Sequence, residues 1–253
     1  MILAIDIGNT TATFGLFEGG GLFSKFVIPT NREQTSDELH SSVLKDLKPR
    51  ITNVIVSSVV PELENSIREF SVKFIGTVPV FVDHTFDFGF SIKYFPPESC
   101  GADRLVAAFA ASVKYGKPCI VCDLGTATTI EVVNSKNEYT GGVIVPGIKT
   151  LADSLFEKTS KLPKVQVKKP ETVIGNTTVD SIRSGVFYGY IGLIDGLIDR
   201  IVTEMNETPV IIATGGYSGI IAESSAFIEI VDRDLILEGL LMIQQNLLTS
   251  RKN

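Results

Sequence analysis

Tryptophan is absent, histidine occurs twice and cysteine three times in 253 residues. A structural zinc site takes four such ligands, so it would have to gather four of these five side chains in one place. Two of the cysteines form "CIVC" at 119–122, the spacing of a redox or zinc pair. The surrounding "PCIVCDLG" reads as a buried strand, where positions three apart face opposite sides of the sheet. Cys100, Cys119 and Cys122 are therefore read as structural thiols. An excess of positive charge is also missing. The 23 Lys and Arg against 29 Asp and Glu give a formal net charge of −6, without the basic stripe that a nucleic-acid partner requires. Long apolar runs are missing too: "VIVSSVV" and "VIVPGI" fall far short of the ~20 residues of a membrane helix. No basic segment precedes an apolar one at the N-terminus, so no signal peptide is expected, and a cytoplasmic location is. Neither G-x-x-x-x-G-K-[ST] nor G-x-G-x-x-G after a strand occurs, which removes the two commonest phosphate loops.

What is present is a repeat. "LAIDIGNTTATFGLF" begins at Leu3 and "IVCDLGTATTIEVV" at Ile120. Aligned without gaps, Asp6 falls on Asp123, Gly8 on Gly125, Asn9 on Thr126 and Thr11 on Thr128. In each copy an apolar run ends in Asp-x-Gly, small hydroxyl residues follow, and a second β-rich run begins. A third run comes next in both, "GLFSKFVI" and "EYTGGVIV", so each copy is expected to be a three-stranded antiparallel meander.

Helices and strands alternate around the meanders. Thr35 and Glu38 have capping-box spacing, predicting a helix through about Leu47. "NVIVSSVV" and "VPVFV" read as strands, and Pro61 opens a helix over "PELENSIREFSVKF". "ADRLVAAFAASVKYG" is an alanine-rich helix closed by Gly116. Beyond the second meander, residues 178–205 read as one long helix despite their glycines. "PVIIAT" and "AFIEIV" are expected strands, "GGYSGIIAES" a loop into a helix, and "DLILEGLLMIQQNLL" a last amphipathic helix. The expected architecture is α/β, two similar lobes of ribonuclease H-like type with a cleft between them. They divide as residues 1–116 and 117–253, the second carrying the loop "IATGGYSG" at 212–219.

A strand that ends in aspartate at a tight turn puts a carboxylate at the sheet edge. Glycine there lets backbone pass close to a ligand, and free amides form an anion nest. Thr10, Thr11 and Thr13 add hydroxyl donors. A carboxylate beside a phosphate cradle makes sense when Mg²⁺ bridges them, since Mg²⁺ takes few protein ligands and keeps water and phosphate oxygens. A lone turn of this kind has a second reading, an Asx-turn satisfying its own loop. Its duplication favours nucleotide phosphate. The loop at 212–219 carries two readings as well, a platform for adenosine or a turn that opens a helix.

These residues resemble a known family. Asp-x-Gly-Asn-Thr at 6–10, Asp-x-Gly-Thr at 123–126 and "ATGG" at 213–216 look like the two phosphate elements and the adenosine element of the acetate and sugar kinase, Hsp70 and actin superfamily. Within it the chain resembles type III pantothenate kinases. Further matching stretches are "SSVVP" at 57–61, "YFPPESCGADRLVAA" at 94–108, "GGVIVPGI" at 141–148, "IGNTTVDSIRSGVFYG" at 174–189 and "LEGL" at 237–240. The resemblance implies ATP-dependent phosphorylation of pantothenate to 4'-phosphopantothenate, the first step of coenzyme A synthesis. It also implies a homodimer and a monovalent cation, K⁺ or NH₄⁺.

By the same resemblance Asp103 is the catalytic base, and Asp6, Ile7, Gly8, Asn9, Thr10, Thr11, Ala12, Thr13 and Thr126 hold the nucleotide. Asp6 orients Mg²⁺ and Asp123 is the ligand of the monovalent cation. Tyr94, Gly101, Ala102, Asp103, Arg104 and Thr178 form the pantothenate site. Each carries a plainer alternative: Asp103 as a first-turn acid favouring its helix dipole, Arg104 in a surface ion pair, Tyr94 in the core, Thr178 as an N-cap. Where the family often has proline, Arg233 stands here. The glycines of 178–205 allow close helix approach and suggest a dimer seam. Two competing functions are a non-catalytic regulatory paralogue and a kinase for another small hydroxylated substrate.

Overall fold

The structure is a computed structural model and describes residues 1–44 and 50–250. The chain opens with β1 (Ile2–Ile7), β2 (Thr11–Glu18) and β3 (Gly21–Pro29), an antiparallel meander. α1 (Ser36–Val43) begins at the expected capping box: Thr35 accepts from the Glu38 amide while the Glu38 carboxylate accepts from the Thr35 amide at 2.9 Å. Its expected continuation through Leu47 lies outside the described residues. β4 (Asn53–Ser58) leads to α2 (Pro61–Phe70), which continues as a π-helical turn over Ser71–Ile75 and ends at Gly76, φ 82°. β5 (Val80–Phe81) and β6 (Ser91–Ile92) are two residues each. α3 (Ala102–Tyr115) ends ahead of Gly116, whose φ of 89° suits glycine.

The second meander is β7 (Cys119–Leu124), β8 (Ala127–Val133) and β9 (Glu138–Pro146). Then come α4 (Ile148–Glu157), α5 (Thr178–Met205), β10 (Val210–Thr214), α6 (Ser218–Ala222), β11 (Ile230–Val231) and α7 (Leu235–Ser250). The strands form two sheets, ordered β3-β2-β1-β4-β5 and β11-β10-β7-β8-β9-β6. Without β6, the second order is the first one repeated: meander, then two parallel strands beside its first strand.

The repeat extends to details. β2 slips register between Leu16 and Phe17, and β8 slips between Val132 and Val133. The Thr30 amide bonds the Thr10 carbonyl at 2.9 Å, and the Gly147 amide bonds the Thr126 carbonyl at 3.0 Å. Register corrects the gapless alignment at one point. Ile7 faces Ala12 across the first turn, but Leu124 faces Thr128 across the second, a turn one residue shorter. Thr10 therefore matches Thr126, Thr11 matches Ala127, Ala12 matches Thr128 and Thr13 matches Thr129. Asn9 is the extra residue of the first turn.

Two compact units emerge. The first gathers the described residues of Met1–Phe90, Tyr94–Ala110 and Asp234–Asn253, the second Ser91–Lys93 and Ala111–Arg233. Unlike a single cut after residue 116, this grouping puts α7 with the first sheet. In the first unit Leu3, Ile5, Ile7, Phe14, Val54 and Val56 face a core closed by Leu39, Leu63, Ile67 and Phe70 of α1 and α2. α7 packs against β1 and β4, with Leu237 against Gly15 of β2 and Gly239 against Val106 and Ala110 of α3. In the second unit Ile120, Cys122, Leu124 and Ile130 face a core closed by Tyr190, Ile194 and Ile198 of α5.

Candidate functional site

Side chains alternate along a strand, so the core assignments place the others. Leu3, Ile5 and Ile7 face the first core; Asp6 between them faces the opposite side. Ala12 and Phe14 face the core, so Thr13 shares the face of Asp6, and Ser57 joins them because Val56 faces the core. Thr13 and Ser57 are the register partners of Asp6 on its two sides. The result is a row of hydroxyl, carboxylate and hydroxyl across three adjacent strands. The second sheet repeats it: Thr129 and Thr214 are the register partners of Asp123. Asp6 and Asp123 were legible as candidates; Ser57, Thr129 and Thr214 were not.

The turn after Asp6 is built from backbone. The Gly8 amide donates to the Thr11 carbonyl at 3.0 Å, and the Thr30 hydroxyl donates to the Gly8 carbonyl at 2.7 Å. Asn9, Thr10 and Thr11 are exposed at its rim, and Arg32 reaches it, donating to Asn9 Oδ1 at 3.4 Å and to Glu62 at 3.0 Å. The side chains of Ile7 and Ala12 are buried in the core, so these two residues offer a ligand only main-chain groups. The turn after Asp123 is held by the Thr126 carbonyl, which also accepts from the Thr150 hydroxyl at 2.7 Å. A Cβ on Gly147 would come within 2.1 Å of the Gly125 carbonyl oxygen, so glycine is required there. Gly215, at φ 87°, runs so close to the second carboxylate that a Cβ would lie 2.4 Å from Asp123 Oδ1. The loop after β10 thus runs directly against Asp123.

Gly101, Asp103 and Arg104 belong to the first unit with Asp6. A Cβ on Gly101 would lie 3.4 Å from Val59, whose amide bonds the Ile7 carbonyl at 3.0 Å. That chain of neighbours brings the start of α3 to the edge where β1 ends. Asp103 sits in the first turn of α3, beside Ala102, and its Oδ1 accepts from the Arg104 amide at 2.8 Å. Arg104 is only 7% exposed, which excludes a surface ion pair; its guanidinium lies 5.2 Å from the centre of the Tyr94 ring. Tyr94 is half-buried and not a core residue.

Thr178 lies elsewhere in the fold, in the second unit. The N-cap of α5 is Thr177, whose hydroxyl accepts from the Asp180 amide at 3.1 Å, so Thr178 does not serve as the cap. Thr178 is exposed and lines a cavity of about 700 Å³ with Leu151, Leu155, Gly185 and Gly189. Beneath it the Tyr190 and Thr128 hydroxyls are hydrogen-bonded, and burial pushes the Tyr190 phenol up to about 12.

The sequence model of type III pantothenate kinases matches residues 2–200. A type III pantothenate kinase from Syntrophotalea carbinolica is 43% identical over 247 residues, covering 95% of this chain and 96% of that protein. The chain belongs to the type III pantothenate kinase family. Among solved structures, a Campylobacter jejuni protein assigned to the Baf family of transcriptional activators superposes with a TM-score of 0.63, at 21% identity over 98% of this chain and 99% of that one. A ROK family glucokinase from Streptomyces griseus, in complex with glucose and AMPPNP, superposes with a TM-score of 0.56, at 12% identity over 96% and 99%. The duplicated sheets are the fold of the acetate and sugar kinase, Hsp70 and actin superfamily.

A type III pantothenate kinase works with ATP and a divalent cation, and the residues fit that demand. Among the described residues no three His, Cys, Asp or Glu converge to cage a metal. Mg²⁺ needs no cage; one carboxylate, water and phosphate oxygens suffice. The first row offers that carboxylate, and Ser57 beside it keeps a buried hydroxyl oxygen without a hydrogen-bond partner. Among the described residues no helix is long and apolar enough to cross a membrane.

Proposed function

We propose that this chain transfers the terminal phosphoryl group of ATP to the primary hydroxyl of pantothenate. The observation that carries the reading is the first unit's edge, where Val59 bonds the end of β1, one residue past Asp6, and also packs beside Gly101 of the Gly-Ala-Asp-Arg turn. Phosphoryl transfer asks a protein for position and charge more than for covalent chemistry. Asn9, Thr10 and Thr13 offer amides and hydroxyls to the phosphates, Gly8 lets the backbone come close to them, and Asp6 would meet water ligands of Mg²⁺. When bound, that cation neutralises charge on the phosphate oxygens. Asp103 accepts the proton of the attacking hydroxyl late in the reaction, as bonding to phosphorus acidifies it. Arg104, a planar donor fork, suits the pantothenate carboxylate, with Tyr94 as a wall and the Gly101 and Ala102 backbone beside it.

In the second unit Thr126 contacts the nucleotide. Asp123 with nearby carbonyls suits a monovalent cation, which asks for little charge, and K⁺ or NH₄⁺ would meet it. Thr178 contributes to substrate binding from the rim of its cavity. We assign that face to a homodimer. Gly185, Gly189 and Gly192 have open space where a Cβ would stand, and Leu155, Phe156, Val173 and Ile174 are exposed around them. A protein with this activity works in the cytoplasm, where its nucleotide is. ADP release measured with pantothenate and with a panel of sugars and hydroxy acids tests the reading. Turnover is expected with pantothenate, dependent on Mg²⁺ and K⁺; turnover with another hydroxylated acid only would reassign the substrate, and none with any would leave a regulatory paralogue.

A further inference from the structure

Two serines end β4, and their surroundings differ. Ser58 shapes the turn before α2, its Oγ accepting from the Val60 amide at 3.1 Å. Ser57 is 0% exposed, and its Oγ has no hydrogen-bond partner. A buried hydroxyl left unsatisfied is costly, and native proteins keep few of them. Folding alone would favour alanine at this position. The residue beside Ser57 in the parallel register is Asp6, on the same face, with the strands about 5 Å apart. Independently, the second sheet sets a hydroxyl at the same place: Thr214, 2% exposed, lies in register beside Asp123.

We propose that Ser57 is a positioning residue for Asp6. Its hydroxyl is held in reserve in the sheet and donates to the inner side of the Asp6 carboxylate when nucleotide and divalent cation are loaded, fixing the direction in which that carboxylate meets the cation's water. The inference rests on the reading of Asp6 given above. Groups that orient a metal-binding side chain typically change metal affinity ten- to a hundredfold when lost. A hydroxyl that merely filled space would not.

The test uses Mn²⁺ as a paramagnetic probe, titrated by electron paramagnetic resonance into the full-length protein with ADP and no acceptor. Ser57→Ala is expected to weaken Mn²⁺ binding about tenfold while its melting temperature stays level or rises, because an unsatisfied hydroxyl has been removed. Ser57→Thr, which copies the second sheet, is expected to restore binding; Ser57→Cys, nearly isosteric with a weak donor, is expected to fall between. Unchanged Mn²⁺ affinity in Ser57→Ala overturns the proposal, and so does a drop in melting temperature with unchanged affinity, which would make the hydroxyl structural. If the wild-type protein fails to bind Mn²⁺ with ADP at all, the fault lies in the kinase reading, and the inference falls with it.

Discussion

Gly101 leaves room for a single carboxylate. A Cβ at this position would stand 2.4 Å from Asp103 Oδ1, and the nearest obstacle is that side chain, not backbone. Gly101→Ala should therefore rotate Asp103 aside without unfolding the start of α3. Displacing a reacting group by about 1 Å can lower turnover a hundredfold. We expect a 10- to 100-fold loss in kcat with a melting temperature close to wild type, read by ADP release and calorimetry on the same sample. A melting temperature that fell in step with activity would mean the glycine serves folding and not the carboxylate. The Asp123 side differs, because Gly215 presses against backbone as well as side chain and Gly147 against backbone alone. Gly147→Ala should break the second turn outright: its Cβ would meet the Gly125 and Thr126 carbonyls at 2.1 and 2.7 Å. Poor soluble yield or early melting is expected, and wild-type stability would contradict the geometry.

At the level of elements, α1 is the plainest case of local cause. It is only eight residues long, and its start is closed by the reciprocal Thr35 and Glu38 bonds. Thr35→Ala should cost about 1 kcal/mol in urea unfolding, and no change would show that tertiary packing alone holds the helix. Elements with local signals were legible in the sequence. α5 runs over the expected 178–205 because Thr177 caps one end and Asn206, with φ 51°, closes the other. The unread elements depend on partners far along the chain. β6 is two residues long and exists through pairing with Glu138 and Tyr139. β5 and β11 shrink to Val80–Phe81 and Ile230–Val231, the lengths over which a neighbour is available. α4 begins after the N-cap Gly147, whose lack of a side chain gives no capping hydrogen bond to read. The site divides in the same way. Asp6 and Asp123 stand out because an acid ending an apolar run is conspicuous, whereas Ser57 and Thr214 become meaningful only through a parallel register spanning 51 and 91 positions (57 − 6 and 214 − 123).

Over the whole molecule, alkali bears on buried acids of the second unit. Burial pushes the Cys119 thiol and the Tyr190 phenol of the second unit up to about 12, and the Cys122 thiol higher still. In the unfolded chain thiols ionise near pH ~8.5 and tyrosine near ~10. The folded state then holds protons that the unfolded state has released, so ionisation favours unfolding. The stability these groups contribute is intact below pH ~8.5 and is lost as pH rises toward about 12. Each group adds a slope of ~1.4 kcal/mol per pH unit within its window. Urea titrations from pH 8 to 11 should show falling stability, less steeply in Cys119→Ala. A flat profile would contradict the burial of these groups. The homodimer is tested at the same scale: sedimentation at micromolar concentration should give a dimer, and a monomer would remove the role given to the α5 glycines.

The proton of the acceptor hydroxyl is assigned to one side chain, and turnover by Asp103→Asn tests this most directly, measured as pantothenate-dependent ADP release beside calorimetric binding of pantothenate. The expected result is a folded protein that still binds pantothenate and whose turnover falls at least a hundredfold, the loss ~10²–10⁴ when a positioned base is removed. An Asp103→Asn protein that turns over at the wild-type rate would contradict the account.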